Sequence, residues 1–437
     1  MTTREVALDH WGDYDRDHPF QLFERVRRAG PVHDVSLADG HRAFLVVGYA
    51  AAREALNHPD LSKDMLAALA HDGAVVAEGL PGPAFARHML SVDPPDHSRL
   101  RRLAAGAFRR ARLTALEPRI RQLVDELLDA LDAGHGPVDL VTGFAGPLPF
   151  AVVGELLGID RPDQIRLAGW FATLLEPYSG AEPPAQAVAA SDAIVGYLED
   201  LVDGRWDAPT EDLVGDLVRA CRDDLLTRQE LLSSLFQLIV AGHDTTTSLI
   251  GNGVAVLLQH PDQRDALVRE PGLVPGFIEE VLRFDAPVHH ATFRYATRDL
   301  TIAGVDIPAG VQVLVNLAAA GRDPERNEDP DVFDIRRSGA AHATFGHGVH
   351  HCLGAPLARL ESEIAFTELL RRFPEMRLAI APEELRWGHG DGLVLRGLST
   401  LPVWLRAMEP PEVARPAQRT SAISAAARSA PPSGTGR

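Results

Sequence analysis

Cysteine and lysine are nearly absent from this sequence. Its 437 residues include two cysteines, Cys221 and Cys352, and Lys63 is the only lysine, so arginine carries most of the positive charge. Two thiols this far apart give no disulfide framework, and such sparse cysteine is typical of reducing compartments. We therefore expect a cytoplasmic protein without structural disulfides.

Positive charge as a whole is scarce, and no long apolar run is uninterrupted. The formal net charge is −18, which argues against binding a nucleic-acid backbone and predicts a soluble chain whose copies repel one another, hence a monomer. The longest apolar run, Leu231 to Leu258, contains His243, Asp244 and Asn252, so it favours a buried helix over a membrane span. The charged N-terminal segment predicts neither a signal peptide nor a membrane anchor.

Periodicity along the chain predicts a mainly α protein with small β-sheets. Residues 20–28 and 50–57 have the amphipathic pattern of helices, with a strand at 43–47 between them. The pattern is helical from about residue 99 to 219, and short apolar runs broken by glycine and proline at 297–317 predict hairpin strands. No linker-like break divides this region into separate domains.

The composition changes abruptly after Trp404. Residues 409–437 consist largely of Pro, Ala, Ser and Arg, with almost no aliphatic bulk. Such a segment has too little apolar surface to offset its ordering entropy. We therefore expect one domain at residues 1–408, followed by a disordered and functionally inert tail at 409–437.

The loop from Phe345 to Gly354 carries the strongest functional signal. It presents Cys352 among glycines and histidines, late in a thiol-poor chain. A thiolate ligand needs hydrogen bonds from nearby backbone N–H groups, and Gly346 and Gly348 let the main chain come close enough to supply them. The helix predicted to follow would point its N-terminus at the sulfur. The pattern indicates a cysteine that binds a metal as its thiolate.

Two other interpretations of this loop exist. A lone cysteine is most often a small buried apolar residue. His347, His350, His351 and Cys352 could also form a zinc cluster. Zinc ligands usually come in two separated pairs, whereas these four are bunched. The spacing therefore argues against zinc.

A second signal lies inside the long apolar run, where residues 241–246 read Ala-Gly-His-Asp-Thr-Thr. Burying the Asp244 carboxylate costs several kcal/mol unless something uses or pairs it. The alternative is structural, with the Thr245 hydroxyl bonding back to a carbonyl of the preceding turn and bending the helix. From these residues alone, both interpretations stay open.

At these positions the chain resembles the cytochrome P450 family. The family's heme loop reads Phe-Gly-x-Gly-x-His-x-Cys-x-Gly, and every specified position is filled here. The resemblance implies the single P450 fold, with an α-rich lobe and a small β-rich lobe around heme b, and Cys352 as the axial ligand of the iron. The family's oxygen-activating helix reads Ala/Gly-Gly-x-Asp/Glu-Thr-Thr, so Thr245 would hold dioxygen in a hydrogen-bonded groove and Asp244 would gate protons to it.

The same resemblance gives roles to charged residues that say little in isolation. Glu280 and Arg283 stand three apart on a predicted helix and would brace the heme loop together with Arg337, for which Arg336 is a rival. Four basic residues would bind the heme carboxylates through charged, fork-shaped donors. With the loop residues, the candidate cofactor-binding set is His97, Arg101, Ala241, Arg294, Phe345, Gly346, His350, Cys352 and Gly354.

The resemblance covers residues 9–406 and is closest to actinobacterial macrolide and polyketide hydroxylases. It implies a heme-thiolate monooxygenase that hydroxylates or epoxidises a hydrophobic secondary metabolite, with O₂ and two electrons from a ferredoxin and an NAD(P)H-dependent ferredoxin reductase. The alternatives are a sterol-type hydroxylase, a peroxide-using or C–C coupling enzyme of the same fold, and a heme-binding protein without turnover. The intact Asp244-Thr245 pair argues against the last.

Two further sets of residues complete the prediction. The substrate would be lined by parts of the segments 62–90, 165–194, 288–292 and 392–395, with the candidate pocket residues Leu90, Leu238, Gly242, Val288, His289, His290 and Val394. A basic stretch could dock an acidic ferredoxin, although a solvated helix face explains any one of its members equally well. This stretch comprises Arg99, Arg102, Arg109, Arg110 and Arg112.

Overall fold

Helices dominate the part of the chain that the structure describes. The computed structural model describes residues 17–37, 40–64, 87–134, 136–176, 183–388 and 394–406. Its α-helices are α1 Phe20–Ala29, α2 Tyr49–Leu56, α3 Asp96–Ala104, α4 Arg110–Asp132, α5 Pro147–Leu157, α6 Arg161–Leu174, α7 Ala185–Gly204, α8 Leu213–Arg222, α9 Arg228–Gln259, α10 Pro261–Arg269, α11 Val274–Phe284, α12 Leu317–Gly321 and α13 Ala355–Arg372. This confirms the mainly α prediction.

The strands are short and form three small sheets. They are β1 Val32–Ser36, β2 Arg42–Val46, β3 Leu61–Ser62, β4 Val138–Asp139, β5 Arg294–Ala296, β6 Leu300–Ile302, β7 Val305–Ile307, β8 Gln312–Val315, β9 Arg377–Leu378 and β10 Pro402–Trp404. The largest sheet has the order β1-β2-β8-β5-β3, with β2 and β8 parallel and the other neighbours antiparallel. Strands β4, β10 and β9 form the second sheet, and β6 and β7 form the hairpin.

Helix α9 is the long apolar run of the sequence, and it lies in the core. It begins at a capping box in which Thr227 and Glu230 each satisfy a backbone N–H of the other, as helix starts require. It packs against α5, α11 and α13. A Cβ at Gly253 would lie 2.6 Å from the Phe366 ring, so glycine is what allows α13 to approach this closely.

The predicted boundaries agree with most of these elements. The helix predicted at 20–28 is α1, and the strand predicted at 43–47 is β2. Strand β1 was not predicted, because His33 and Asp34 interrupt its apolar pattern. No helix among the described residues is long and apolar enough to cross a bilayer. One compact unit ends at Arg406, and the predicted tail at 409–437 lies outside the described residues.

Candidate active site

The cysteine loop is a tight turn in front of helix α13. Gly346 and Gly348 have φ angles of +73° and +72°, in the left-handed region that glycine adopts without strain. The Cys352 N–H donates to the Phe345 carbonyl at 2.7 Å and closes the loop. The glycines found in the sequence are therefore needed for this backbone path, and Cys352 comes to lie immediately before the first turn of α13.

The Cys352 sulfur faces backbone donors. Burial raises the pKa of the Cys352 thiol, while hydrogen bonds from the N–H groups of Gly354 and Ala355, and then the charges of Arg101 and Arg359, lower it. Cys352 nevertheless keeps exposed surface, so its side chain is enclosed by protein only in part. A cation bound to this sulfur would displace its proton, and the two N–H groups would then stabilise the thiolate.

The histidines of the loop do not join Cys352 in a zinc site. Within the described ranges, no three His, Cys, Asp or Glu side chains gather as a metal-binding group. His350 instead stacks on His97, with ring centroids 4.2 Å apart, and His347 lies 3.4 Å from the Arg53 guanidinium. His347 and His350 are close together in the sequence, but their side chains thus lie in separate environments.

Helix α9 carries an accessible polar patch at residues 241–245. Ala241 is exposed although the helix around it is largely buried. The Thr245 hydroxyl donates to the Ala241 carbonyl at 2.8 Å. The Asp244 carboxylate is buried, and its Oδ1 lies 2.9 Å from Nδ1 of His243. An acid and an alcohol are therefore adjacent in the middle of this core helix, next to the exposed Ala241.

Glu280 and Arg283 form a buried ion pair on α11. Two guanidinium nitrogens of Arg283 donate to the Glu280 carboxylate, each at 2.7 Å, and neither side chain is more than 1% exposed. Arg337 donates to the same carboxylate at 3.2 Å. Arg336 pairs with Glu270 on the surface instead. The geometry therefore favours Arg337 over its neighbour as the third member.

A second ion network, which the sequence did not reveal, holds the cysteine loop to α11. Glu279 accepts hydrogen bonds from Arg359 at 2.6 Å and from His342 at 3.0 Å. Burial opposes the charged form, yet these two bonds hold the pKa of Glu279 at about 2. Arg359 also lies 4.4 Å from the centre of the Phe345 ring. The first residue of the loop and the helix after it are thus tied to the same carboxylate.

Basic side chains from three segments of the chain converge near the cysteine loop. His97 and Arg101 come from α3, Arg294 from β5 and His350 from the loop itself, and the two histidines sense the charges of other members. Both ring nitrogens of His97 are buried without a hydrogen-bond partner among the described atoms. Burial lowers the pKa of Arg294 to about 10. Such a cluster is costly unless it binds anions.

Known proteins with similar sequences decide the family. The model of the family described as "Cytochrome P450" matches residues 207–379. Cytochrome P450 107B1 of Saccharopolyspora erythraea is 43% identical over 412 residues, which cover 92% of this chain and 99% of that protein. This chain belongs to the cytochrome P450 family. It is therefore a heme-thiolate monooxygenase by family, and the P450 fold implied by its motifs is confirmed.

Two other relatives bear on chemistry and fold. The mycinamicin IV hydroxylase/epoxidase of Micromonospora griseorubida is 40% identical over 392 residues, with 87% of this chain and 94% of that protein covered. The solved structure of the tirandamycin C-bound P450 monooxygenase TamI is 42% identical and superposes with a TM-score of 0.80, covering 89% of this chain and 97% of that one.

The described residues fit the heme b that P450s bind through a cysteine thiolate. One accessible sulfur with two N–H donors is what a thiolate ligand of iron requires. The orphaned nitrogens of His97 and the buried Arg294 guanidinium call for acceptor oxygens, and heme carries two carboxylates. The donor set is therefore chemically matched to this cofactor.

Lys63 belongs to the same cluster of basic side chains near the cysteine loop, although the family motifs do not include it. It is 5% exposed, and its charge is felt by His88, His97 and His350. Glu361 on α13 was also missed. Its side chain is fully enclosed and one carboxyl oxygen has no hydrogen-bond partner among the described atoms, so burial raises the pKa of Glu361 to about 8. The only sequence signal for Lys63 was its being the sole lysine.

Some candidate pocket residues lie together, and others pack elsewhere. Val288 pairs with Leu395, and the carbonyl of Val394 accepts from the His289 N–H at 2.8 Å, so two of the predicted lining segments are neighbours. Leu90 is half-buried. Leu238 is buried in an apolar cluster. Residues 65–86, 177–182 and 392–393 of the predicted lining lie outside the described ranges.

His289, His290 and Gly242 differ from their predicted role at the substrate. The His289 ring packs edge-on against Phe23 of α1, with centroids 5.5 Å apart, because alternate residues of an extended segment face opposite sides. His290 is fully buried and hydrogen-bonds to Asn316. A Cβ at Gly242 would lie 2.6 Å from Val153 of α5. All three are therefore explained by packing.

The predicted basic stretch divides into paired and exposed arginines. Arg99 donates to the buried Glu230 at 2.6 Å, and Arg112 lies 2.8 Å from Asp216. Those two are held within the fold. Arg102, Arg109 and Arg110 are exposed, and we call these three the basic patch. The patch adjoins the cysteine loop, because a Cβ at Gly354 would lie 3.9 Å from the Phe108 ring.

Proposed function

We propose that this P450 hydroxylates or epoxidises a hydrophobic secondary metabolite, of the macrolide or polyketide class, with Cys352 as the axial ligand of heme b. The observation that carries the proposal is the partly accessible Cys352 sulfur, with two backbone N–H donors at the start of α13. Bound heme supplies the activation of dioxygen, and the protein supplies its anchoring, its protons and the shape of the site.

The first task of the chain is to hold the cofactor. Arg101 and Arg294 bring permanent positive charge, and His97 and His350 bring N–H donors, while burial lowers the pKa of both histidines. The buried Glu280–Arg283–Arg337 group fixes the segment at 328–334 by donating to the carbonyls of Glu328, Pro330 and Val332. Breaking a buried ion pair of this kind typically costs about 3–5 kcal/mol, so the brace is a structural device.

The second task is to deliver protons, and Thr245 is placed for it. A hydroxyl has a single proton, and here Thr245 donates it to the Ala241 carbonyl at 2.8 Å. With heme and dioxygen bound, the same hydroxyl could turn from the Ala241 carbonyl and donate to a reacting oxygen instead. The Ala241 carbonyl would lose the hydrogen bond from Thr245 only while the hydroxyl donates to oxygen. Thr245 thereby acts as a switchable donor at the reacting oxygen.

Asp244 is the carboxylate that relays protons to this position. It is buried, and His243 holds it at 2.9 Å. A carboxylate can accept a proton on one side and release it on the other after rotating about its side-chain torsions. The His243 contact holds the Asp244 carboxylate in its present orientation on α9.

We take the substrate class from relatives. One of them is named as a mycinamicin IV hydroxylase/epoxidase, and the solved structure of TamI contains tirandamycin C. We propose that a ferredoxin and its NAD(P)H-dependent reductase supply the electrons to a cytoplasmic, monomeric enzyme.

Turnover with isotopic oxygen tests the proposed function. With ferredoxin, reductase, NAD(P)H and ¹⁸O₂, a panel of macrolides and polyketides should yield a product that carries one ¹⁸O atom, because a monooxygenase transfers one atom of O₂. The same substrates with hydrogen peroxide alone should give much less product. Efficient turnover with peroxide and none with the ferredoxin system would contradict the proposal. Substrate-induced change in spin state selects the panel members.

The basic patch is the proposed docking surface for the ferredoxin. Arg102, Arg109 and Arg110 are exposed in a protein of net charge −18, and they adjoin the cysteine loop through Phe108. An acidic partner would be drawn to such a patch and repelled by the rest of the surface. Electrons would then enter beside the cysteine loop.

Reversing two of these charges tests the docking surface. Arg109→Glu with Arg110→Glu should lower kcat/KM for ferredoxin at low salt by about tenfold, and the deficit should shrink as salt screens the charges. Arg298→Glu is the matched control, because Arg298 is 71% exposed in another part of the chain. Substrate binding should be unchanged in all variants. An equal loss in the control would rule out the patch.

A further inference from the structure

Lys63 is a buried cation for which the described residues provide no ion pair. It follows strand β3 and is 5% exposed. Its ammonium group donates to the neutral Thr292 hydroxyl, and only its backbone N–H reaches a carboxylate, Asp93 Oδ1, at 3.0 Å. Among the described residues, Lys63 forms no ion pair. A hydroxyl offsets little of the cost of burying an ammonium group.

The surroundings of Lys63 make this cost larger. Burial and then the Arg294 guanidinium hold the pKa of Lys63 well below its ordinary value, and Asp93 opposes them only in part. The positive charge of Lys63 also contributes to the lowered pKa values of His88, His97 and His350. Burial and the neighbouring cations therefore disfavour the charged form of Lys63, and an additional anion beside it would favour that form.

The charges in this region balance if the missing anion has two negative charges. The cations are Arg101 and Arg294, together with Lys63 when it is protonated, and neither arginine has an ion pair within the described ranges. Asp93, which also accepts from the Ser62 hydroxyl, is the nearby carboxylate. Three positive charges and one negative charge leave an excess of two. Heme carries two carboxylates, so it supplies the compensating charge.

We propose that the Lys63 ammonium binds one of the two heme carboxylates and completes a cradle of three cations with Arg101 and Arg294. The proposal rests on the proposed heme-thiolate function and adds a residue that the family motifs do not supply. Two consequences follow from the charge. Heme is held more tightly, and the ferrous state is favoured over the ferric state, because the latter has one more positive charge to repel Lys63.

The single lysine permits a test on the unaltered holoenzyme. Labelling with [¹³C]lysine gives one Cε resonance, that of Lys63. In the diamagnetic ferrous carbon monoxide form, this resonance should have the shift of an ammonium group from neutral pH to about pH 9. In the ferric form, it should be broadened by the nearby paramagnetic iron. A neutral amine at pH 7, or an unbroadened ferric signal, overturns the proposal.

Charge substitutions test the two consequences. Lys63→Met should release heme to apomyoglobin about tenfold faster or more, since a charge-assisted hydrogen bond is lost, and should shift the reduction potential to a more negative value. Lys63→Arg should restore both. Thr292→Val is the matched control, because it removes the neutral partner of Lys63 and keeps the charge. It should leave both measurements near those of the wild type.

The outcomes separate this proposal from the proposed function. If the wild type binds heme with a thiolate spectrum but Lys63→Met changes neither heme release nor potential, the cradle is wrong and the proposed function stands. Weaker substrate binding with those two measurements unchanged would assign Lys63 to the substrate pocket and overturn the proposal. Equal effects of Thr292→Val and Lys63→Met would show that the hydrogen bond matters and the charge does not. Absence of a thiolate spectrum in the wild type would instead remove the proposed function itself.

Discussion

Cys352→Ala abolishes the strongly red-shifted Soret band that the reduced protein should show under carbon monoxide. This band requires a thiolate on the iron, and the structure offers one partly accessible sulfur supported by two N–H donors. Alanine removes the ligand while leaving the backbone path set by Gly346 and Gly348. Difference spectroscopy of the purified variant measures the result, with loss of the whole band expected.

Cys221→Ala is the matched control. Cys221 is the other cysteine of the chain and lies buried on α8, so its removal should leave the band intact. Cys352→His provides a second variant should alanine lose heme altogether, because imidazole also binds iron but gives no thiolate spectrum. A red-shifted band in either Cys352 variant would transfer the ligand role to Cys221.

Thr245→Ala separates electron consumption from product formation. NAD(P)H oxidation through the ferredoxin system should continue, while product per NAD(P)H falls by about tenfold or more and peroxide accounts for the difference. The reason is that the variant lacks the hydroxyl that now donates to the Ala241 carbonyl and can turn to the reacting oxygen. Product, peroxide and NAD(P)H are measured in one assay with a substrate selected by its spin-state change.

Two variants make this result specific to the donor. Thr245→Ser keeps the hydroxyl and should restore most of the coupling. Thr247→Val removes a buried hydroxyl without a hydrogen-bond partner among the described atoms, two positions along the same helix, and should behave as the wild type. Normal coupling in Thr245→Ala would mean that another donor, such as a hydroxyl of the substrate, serves the oxygen.

Local motifs explain why much of this site was predictable. The turn around Cys352 is built from glycines a few residues apart, and the Thr245 bond spans one helical turn. Such short-range interactions form between residues that are close in the sequence, so the types and spacing of those residues predict them. The Glu280–Arg283 pair is of the same kind, since residues three apart face each other on a helix.

Other contacts of the site could be assigned only from the folded structure, because they join segments that are distant in the sequence. Arg337 rather than Arg336 reaches Glu280 because the irregular segment after Pro330 aims successive side chains in different directions, and the spacing alone could not choose between them. His289 was expected at the substrate. Its N–H pairs with the Val394 carbonyl and its ring meets Phe23, which depends on strand pairing between segments about a hundred residues apart.

The sequence by itself determined the family, the cofactor and the cysteine, acid and alcohol of the proposed chemistry, because these are carried by short patterns with strict local geometry. Only the tertiary structure decided which distant charges meet. Lys63 and Thr292 are 229 positions apart, and no periodicity or motif relates them. Electrostatic energy depends on distance and burial in space. The role proposed for Lys63 therefore follows only from the fold, which buries it near Arg294 and gives it no ion pair with the described residues.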